Sequence, residues 1–163
     1  MPRRWVPATA PLDAGVLVHG PVLLSHAPGI RAELDHVRAH ARPAGLVLHL
    51  RLHAEGVHAE AARREVVDGP RQPLDPDGGK AAGSELVLRV AVGDLADQVH
   101  ATTSSTRTRE DSATGEVRFT VEARYWIDEL PADGRAHVSV AWPQAGLPGA
   151  THTLVLALPT RDR

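Results

Sequence analysis

Apolar and polar residues alternate over five stretches of the chain. In the stretch 45–56, GLVLHLRLHAEG, every second residue from Leu46 to Leu52 is leucine, and most of the residues between them are His or Arg. A period of two is typical of a β-strand that buries one face and exposes the other. The same alternation predicts further strands at 85–92, 116–127, 135–142 and 151–158.

Two stretches nearer the N-terminus are less regular. The stretch 15–26, GVLVHGPVLLSH, predicts one or two strands broken at Gly20-Pro21, because proline donates no main-chain hydrogen bond to a sheet. The stretch 29–42, GIRAELDHVRAHAR, places apolar residues at helical spacing, and its Ala, Glu and Arg content favours a helix. A turn at 42–45, RPAG, leads into the clear strand that follows, so a strand in a β-hairpin is the other interpretation.

Polar stretches predict the loops. Residues 63–84 are dense in Pro, Gly and Asp, and residues 102–115, TTSSTRTREDSATG, are almost entirely polar. Neither stretch buries enough apolar surface to order itself strongly, so both are expected to be long loops. Ser and Thr beside arginines also make 102–115 a candidate for phosphorylation. The stretch 128–134, DELPADG, ends in the turn-favouring pair Asp133-Gly134 and predicts a hairpin loop.

The order of these elements predicts the fold class. Several strands with turns between them and at most one short helix are typical of an all-β protein. We expect one domain over residues 1–163, an antiparallel β-sandwich that is immunoglobulin-like in the broad sense. Only 3% of the residues are aromatic, so the core is expected to consist of Val, Leu and Ala.

Two tryptophans in the C-terminal half call for different predictions. Trp142 continues the apolar face of its strand, so we expect it to fill the core. Trp126 falls on the opposite, polar face of strand 116–127, together with Arg118 and Arg124. Tryptophan and arginine are enriched at binding hot spots. This face is therefore a candidate interaction surface of Arg118, Arg124 and Trp126, the alternative being that Trp126 is buried under a loop or at the end of the sandwich.

Composition and charge exclude several classes of protein. The chain has no cysteine, which rules out disulfides, thiolate zinc sites and a cysteine nucleophile. Its formal net charge is −2 and no basic stripe is visible along the sequence, so we expect no nucleic-acid partner. No run approaches the roughly 20 apolar residues of a membrane-spanning helix, so we expect no membrane partner and a cytoplasmic location.

Ten histidines are the one unusual feature of the composition. His36 and His40 are four residues apart, which on a helix would let them share a zinc ion, but the HExxH form is absent. On a strand their Cα atoms would lie about 13 Å apart, so the two histidines could not bind the same metal ion. A site between strands, for instance from His49 and a histidine of a neighbouring strand, remains open, although we predict no native metal ion.

Motifs for catalysis and cofactor binding find little support. The nucleophile motif GxSxG is absent, and Gly78-Gly79-Lys80 lacks the Ser or Thr that a phosphate-binding loop needs after its lysine. We therefore predict no catalytic residue and no cofactor.

The run 125–148, YWIDELPADGRAHVSVAWPQAGLP, resembles the C-terminal signature of a family of small uncharacterised proteins common in actinobacteria. In that family an aromatic strand leads to a PLPPPG-like loop, a strand and then WPAxGIP. The matching positions are Trp126, Leu130, Pro131, Gly134, Trp142, Pro143, Gly146, Leu147 and Pro148. The loop departs from the family at Ala132-Asp133.

An earlier run, 34–52, is similar to a hairpin of the same family, written LxGLxxYPxGFxFxLxV. Gly45, Leu46 and Leu48 correspond to it, and His40 stands near the family's aromatic residue. The resemblance implies a strand-rich domain and favours a strand for 31–41. It supplies no catalytic residue.

Taken together, the sequence favours a non-enzymatic β-sandwich that serves as a protein–protein interaction or scaffold module. Its partner would be another protein, or a second copy of the chain that joins through a sheet edge. The alternative is a small-molecule or metal-binding module, or an enzyme, with a pocket lined by histidines.

Overall fold

The computed structural model describes residues 2–67 and 86–159. Ten strands and one helix follow one another in the order β1 Val16–His19, β2 Val22–Ala27, β3 Ile30–Ala41, β4 Ala44–Glu55, α1 Gly56–Val67, β5 Val87–Val92, β6 Leu95–Val99, β7 Thr103–Glu110, β8 Val117–Ile127, β9 Arg135–Trp142 and β10 Leu147–Val155. A short 3₁₀ turn, Pro143–Ala145, joins the last two strands.

The strands form two antiparallel sheets that pack face to face. One has six strands in the order β1-β3-β4-β8-β7, with β2 also paired to β3, and the other has four strands in the order β10-β9-β5-β6. Strands β2 and β1 share one edge of β3, β2 along residues 30–34 and β1 along residues 37–39. This arrangement confirms the predicted all-β antiparallel sandwich with one short helix.

Alternating side chains of both sheets fill the space between them. Every second residue of β4 from Leu46 to Leu52 is at most 2% exposed. The apolar faces predicted for 116–127 and 135–142 are likewise buried, Trp142 among them. The core is mainly aliphatic, as the small aromatic content predicts, and the aromatic residues of its main cluster are Trp5, Phe119, Tyr125 and Trp142.

The stretch that is ambiguous in sequence is strand β3, and its bulge explains the helical spacing. The register of β3 against β4 shifts between Leu34 and His36, so Asp35 is an extra residue. Because of this bulge, Leu34 and Val37 both face the core although they are three residues apart. A spacing of three within a strand mimics the pattern of a helix. The hairpin interpretation through 42–45 is correct.

The loop predicted at 102–115 is wrong over most of its length. Residues Thr103–Glu110 form β7, which pairs with β8 at the end of the six-stranded sheet. All eight residues are exposed. With neither face buried, the strand has no apolar alternation, so periodicity cannot reveal it.

The other predicted loops also differ from the structure. Residues 63–67 belong to the end of α1, and the remainder of the predicted loop 63–84 lies outside the described residues. Residues 128–134 do not close a hairpin, because β8 and β9 lie in different sheets. Gly134 does adopt the left-handed conformation of a turn, with φ of 71°, but this turn carries the chain from one sheet to the other.

Helix α1 leaves β4 directly and covers one end of the core. Ala59 and Ala62 are fully buried, and the helix packs against β8, β4 and the 3₁₀ turn. The His58 ring nitrogen Nδ1 lies 3.0 Å from the Ala145 carbonyl oxygen and ties the helix to that turn.

Candidate functional site

The outer face of the six-stranded sheet carries a dense set of charged side chains. Because the strands are in register, the outward-facing residues of β3, β4, β8 and β7 form continuous rows. Its cationic members are Arg31, Arg38, Arg51, Arg107, Arg109, Arg118 and Arg124. Its acidic members are Glu33, Asp35, Glu55 and Glu122. We call this surface the arginine face; it carries an excess of positive charge although the whole chain has a net charge of −2.

Only the middle of the arginine face is neutralised by ion pairs. Arg51 lies 3.3 Å from a Glu122 carboxylate oxygen and 3.8 Å from one of Asp35. Among the described residues, the side chains of Arg107, Arg109, Arg118 and Arg124 have no acidic group within 4.0 Å and no hydrogen bond, and the same holds for Arg31. These guanidinium groups are available to an anionic partner.

Two histidines meet on this face across β3 and β4. His36 and His49 are directly opposite each other, with ring centroids 3.9 Å apart and the planes inclined at 30°. The structure thus brings His49 together with a histidine of the neighbouring strand, the one between-strand arrangement that the sequence left open. His36 also hydrogen-bonds through Nδ1 to the carboxylate of Asp35 at 2.8 Å, so the bulge residue orients its ring.

The environment of this pair shifts several pKa values. Burial, the neighbouring His36 and the cation Arg124 lower the pKa of His49 to about 4, because each disfavours its charged form. Burial also lowers the pKa of His53. The hydrogen bond from His36 lowers the pKa of Asp35, because it stabilises the carboxylate.

We expect the depressed pKa of His49 to make the protein less stable in mild acid. As the pH falls from about 6.5 towards about 4, the unfolded chain binds a proton at this position and the folded chain does not, so the free energy of unfolding decreases. Replacing His49 by Gln should reduce the difference in stability between about pH 7 and about pH 5. Urea denaturation of both proteins at the two pH values measures this effect.

His53 contributes in the same direction, so a smaller pH dependence should persist in the variant. His137→Gln, on the outer face of the other sheet, is the matched control. Identical pH dependence in the wild type and His49→Gln would show that His49 does not carry the effect.

Trp126 does not belong to an exposed interaction surface. Its side chain is only 1% exposed, whereas Arg118 and Arg124 on the same strand are exposed. The indole lies diagonally across Gly45, where an added Cβ would overlap ring atom Cη2 of Trp126 and the Ile127 carbonyl oxygen. The burial alternative is therefore correct for Trp126.

Two other rings help to explain the burial of Trp126. The His40 ring meets it edge-on, with centroids 5.8 Å apart. The Trp5 indole N–H donates to the Trp126 main-chain carbonyl at 2.9 Å, which anchors the N-terminal segment beside the strand. The absence of a side chain at Gly45 is the sequence signal for this packing, since an aromatic ring commonly covers a glycine on an adjacent strand.

Among the described strands, β7 pairs only with β8, so its other edge is open, and the direction of its main-chain groups follows from the register. Asp111 donates its main-chain N–H to the Glu116 carbonyl at 2.8 Å and continues the pairing of β7 with β8. In an antiparallel ladder, residues that exchange main-chain hydrogen bonds alternate with residues that do not. Odd-numbered residues of β7 therefore bond to β8, and the N–H and C=O groups of Ser104, Thr106 and Thr108 point away from it.

Two of the clefts in the described part of the protein lie on this sheet surface. The larger, with a volume of about 670 Å³, includes Arg31, His53 and Arg118 and extends to the exposed His26. The smaller, of about 260 Å³, lies between Asp35 and Thr103 beside His49. Within residues 2–67 and 86–159, no three His, Asp or Glu side chains are grouped so that they could hold a metal ion. A histidine-lined pocket for a small molecule or metal stays a prediction.

Comparison of the chain with protein-family models gives no match, and comparison with curated proteins gives none either. The resemblance of the run 125–148 to the actinobacterial signature therefore remains a prediction. No helix in the described part of the chain is long and apolar enough to cross a membrane.

Proposed function

We propose that the protein is a non-enzymatic interaction module that binds an extended segment of a partner protein along the open edge of β7. The observation that carries this proposal is the edge itself. β7 is eight residues long, every one of its side chains is exposed, and its even-numbered residues direct their main-chain groups outward. Such an edge can accept a further strand, a recurrent mode of peptide recognition in which main-chain hydrogen bonds supply affinity.

The composition of β7 fits a binding edge. A long unpaired edge exposes a protein to unwanted pairing, which proteins commonly prevent with prolines, bulges, very short strands or charged side chains, above all lysine. β7 contains no proline, and its register against β8 is uninterrupted over residues 103–110. Its hydroxyl side chains and two arginines keep it polar without blocking the approach of another strand.

The arginine face lies next to this edge and would let the protein recognise the side chains of a bound segment. Exposed side chains of Arg107 and Arg109 lie on β7, and Arg118 and Arg124 lie on the adjacent β8. A segment paired with β7 would place alternate side chains on the same surface as these guanidinium groups. Main-chain pairing and side-chain recognition would thus act on one segment.

Replacing Thr106 by proline is expected to weaken peptide binding by about tenfold or more, because it removes an outward-facing N–H and its ring obstructs an approaching strand. The N–H of Thr106 does not bond to β8, so the sheet should remain intact. Peptides that bind the purified wild-type protein would first be selected from a library of random linear sequences. Their affinities would then be measured for both the wild type and the variant.

Thr106→Val is the matched control, because it keeps the main-chain N–H and a β-branched side chain and should retain binding. Circular dichroism and the melting temperature establish that both variants are folded. The proposal fails if no linear peptide is enriched, or if the selected peptides bind the folded Thr106→Pro protein as tightly as the wild type.

A further inference from the structure

A cluster of three arginines lies beside the open edge of β7. Arg107 and Arg109 project from β7, and Arg118 projects from β8 directly opposite Arg109. All three side chains are exposed and lack an acidic group within 4.0 Å among the described residues. We call these three residues the arginine triad.

Like charges directly opposite each other on adjacent strands are unfavourable. Arg118 has Glu55 as its opposite residue on β4, but no ion pair joins them. Glu122, on the same face of β8, is engaged by Arg51. The triad therefore carries unneutralised charge at the position where a further strand would be added.

We infer that the segment bound along β7 is acidic and carries carboxylates two residues apart. This inference rests on the proposed function and specifies its partner. In an added strand, residues opposite Arg107 and Arg109 share the outer surface and are separated by one residue that points the other way. Glu or Asp at these two positions would form charge-assisted hydrogen bonds with the guanidinium groups.

The same geometry disfavours a second copy of the chain as the occupant. The outer-surface residues of β7 are Thr103, Ser105, Arg107 and Arg109, while the strand's only acidic residue, Glu110, has the opposite parity. Pairing β7 with another β7 so that the two outer surfaces are continuous would place each arginine opposite Thr, Ser or Arg. It would also join two arginine faces and bring like charges together.

A single strand of nucleic acid could pair with the arginine side chains, but it could not form the main-chain hydrogen bonds that the edge of β7 offers. Phosphates can bind arginines, but they do not reproduce the alternating N–H and C=O groups that an extended peptide presents to Ser104, Thr106 and Thr108. The combination of an open ladder edge and the arginine triad favours an acidic peptide.

Fluorescence anisotropy with labelled synthetic peptides tests this inference. One peptide alternates Glu with Thr, a second alternates Lys with Thr, and a third has the composition of the first with its Glu residues in one block. The wild-type protein should bind the alternating Glu peptide about tenfold or more tighter than either of the others. A single-stranded oligonucleotide of similar charge should bind more weakly than the alternating Glu peptide.

The double variant Arg107→Glu and Arg109→Glu should reverse the preference, binding the Lys peptide more tightly than the Glu peptide. Arg135→Glu, an exposed reversal on β9 of the other sheet, should leave the preference unchanged. This reversal would show that charge on β7 selects the peptide. Because both peptides are measured on the same variant, the conclusion does not depend on the absolute affinity of that variant.

Several results would overturn the inference. One is equal binding of all three peptides, and another is tighter binding of the oligonucleotide than of the Glu peptide. A third is a dimer, seen by sedimentation, that Thr106→Pro dissociates while no acidic peptide binds. If peptides bind regardless of charge and Thr106→Pro abolishes their binding, the acidic partner is wrong and the edge-binding function stands.

Discussion

Replacing Trp142 by alanine is expected to lower the free energy of unfolding by about 3–5 kcal/mol, because a large buried ring is removed and the cavity closes only in part. The side chain is 2% exposed and ends the apolar face of β9. It lies opposite Leu147 of β10, where that strand begins. The core is otherwise mainly aliphatic, so we expect the surrounding side chains to fill the space only in part. Urea denaturation, compared with the wild type at one pH, measures the loss.

Trp142→Phe provides the matched control. The indole N–H of Trp142 is buried and has no hydrogen-bond partner in the described part of the protein, and leaving such a group unsatisfied is costly. Phenylalanine keeps most of the ring and removes that group, so it should destabilise the protein much less than alanine does. A loss below about 1 kcal/mol for Trp142→Ala would contradict the packing of this residue.

Replacing Trp126 by alanine is also expected to cost about 3–5 kcal/mol, although the residue lies on an otherwise polar strand face. Its ring covers Gly45 and contacts the edge of His40, and it is 1% exposed. Removing it would expose main chain of β4 and leave His40 without its aromatic neighbour. Thermal and chemical denaturation would report the loss of stability.

Two substitutions test whether the contact with Gly45 is responsible. Gly45→Ala should destabilise the protein by about 1–3 kcal/mol, because its methyl group would overlap the Trp126 ring and the Ile127 carbonyl oxygen. Thr120→Ala, on the same face of β8 but only half-buried, should have a much smaller effect. If Trp126→Ala were no more destabilising than Thr120→Ala, Trp126 would have to lie exposed on the surface.

The strands that could be predicted are those whose two faces meet different surroundings. In β4 the leucines face the core and His49 and Arg51 face outward, so the sequence shows the alternation directly. β7 has solvent on both faces, and its sequence carries no such contrast. β3 has the contrast, but a single extra residue at Asp35 shifts its phase. Local periodicity therefore reveals half-buried strands and misses edge strands and bulges.

Because local periodicity misses the edge strand β7, only part of the candidate site could be predicted from the sequence. The polar face of β8 placed Arg118 and Arg124 on one surface, and the structure agrees. Arg107 and Arg109 join them only through the pairing of β7 with β8, which is a long-range contact that no local pattern encodes. The burial of Trp126 likewise depends on Gly45 and His40 of other strands.

The segment that connects β8 to β9, which lie in different sheets, shows a different limit of prediction from sequence. The turn chemistry of Asp133-Gly134 is local, and the structure contains that turn. The sheet that β9 joins is determined by its pairing with β5 and β10. β5 lies far earlier in the chain than this turn, and β10 lies after it. A sequence can thus predict a turn without predicting the topology around it.

Amide hydrogen exchange along β7 tests the central claim, an open edge that can accept a strand, most directly. We predict slower exchange at Ser105, Arg107 and Arg109, whose N–H groups bond to β8, and fast exchange at Ser104, Thr106 and Thr108. Addition of the alternating Glu peptide should slow the second set. Slow exchange of both sets in the free protein would contradict the account, because it would mean that the edge of β7 is already occupied.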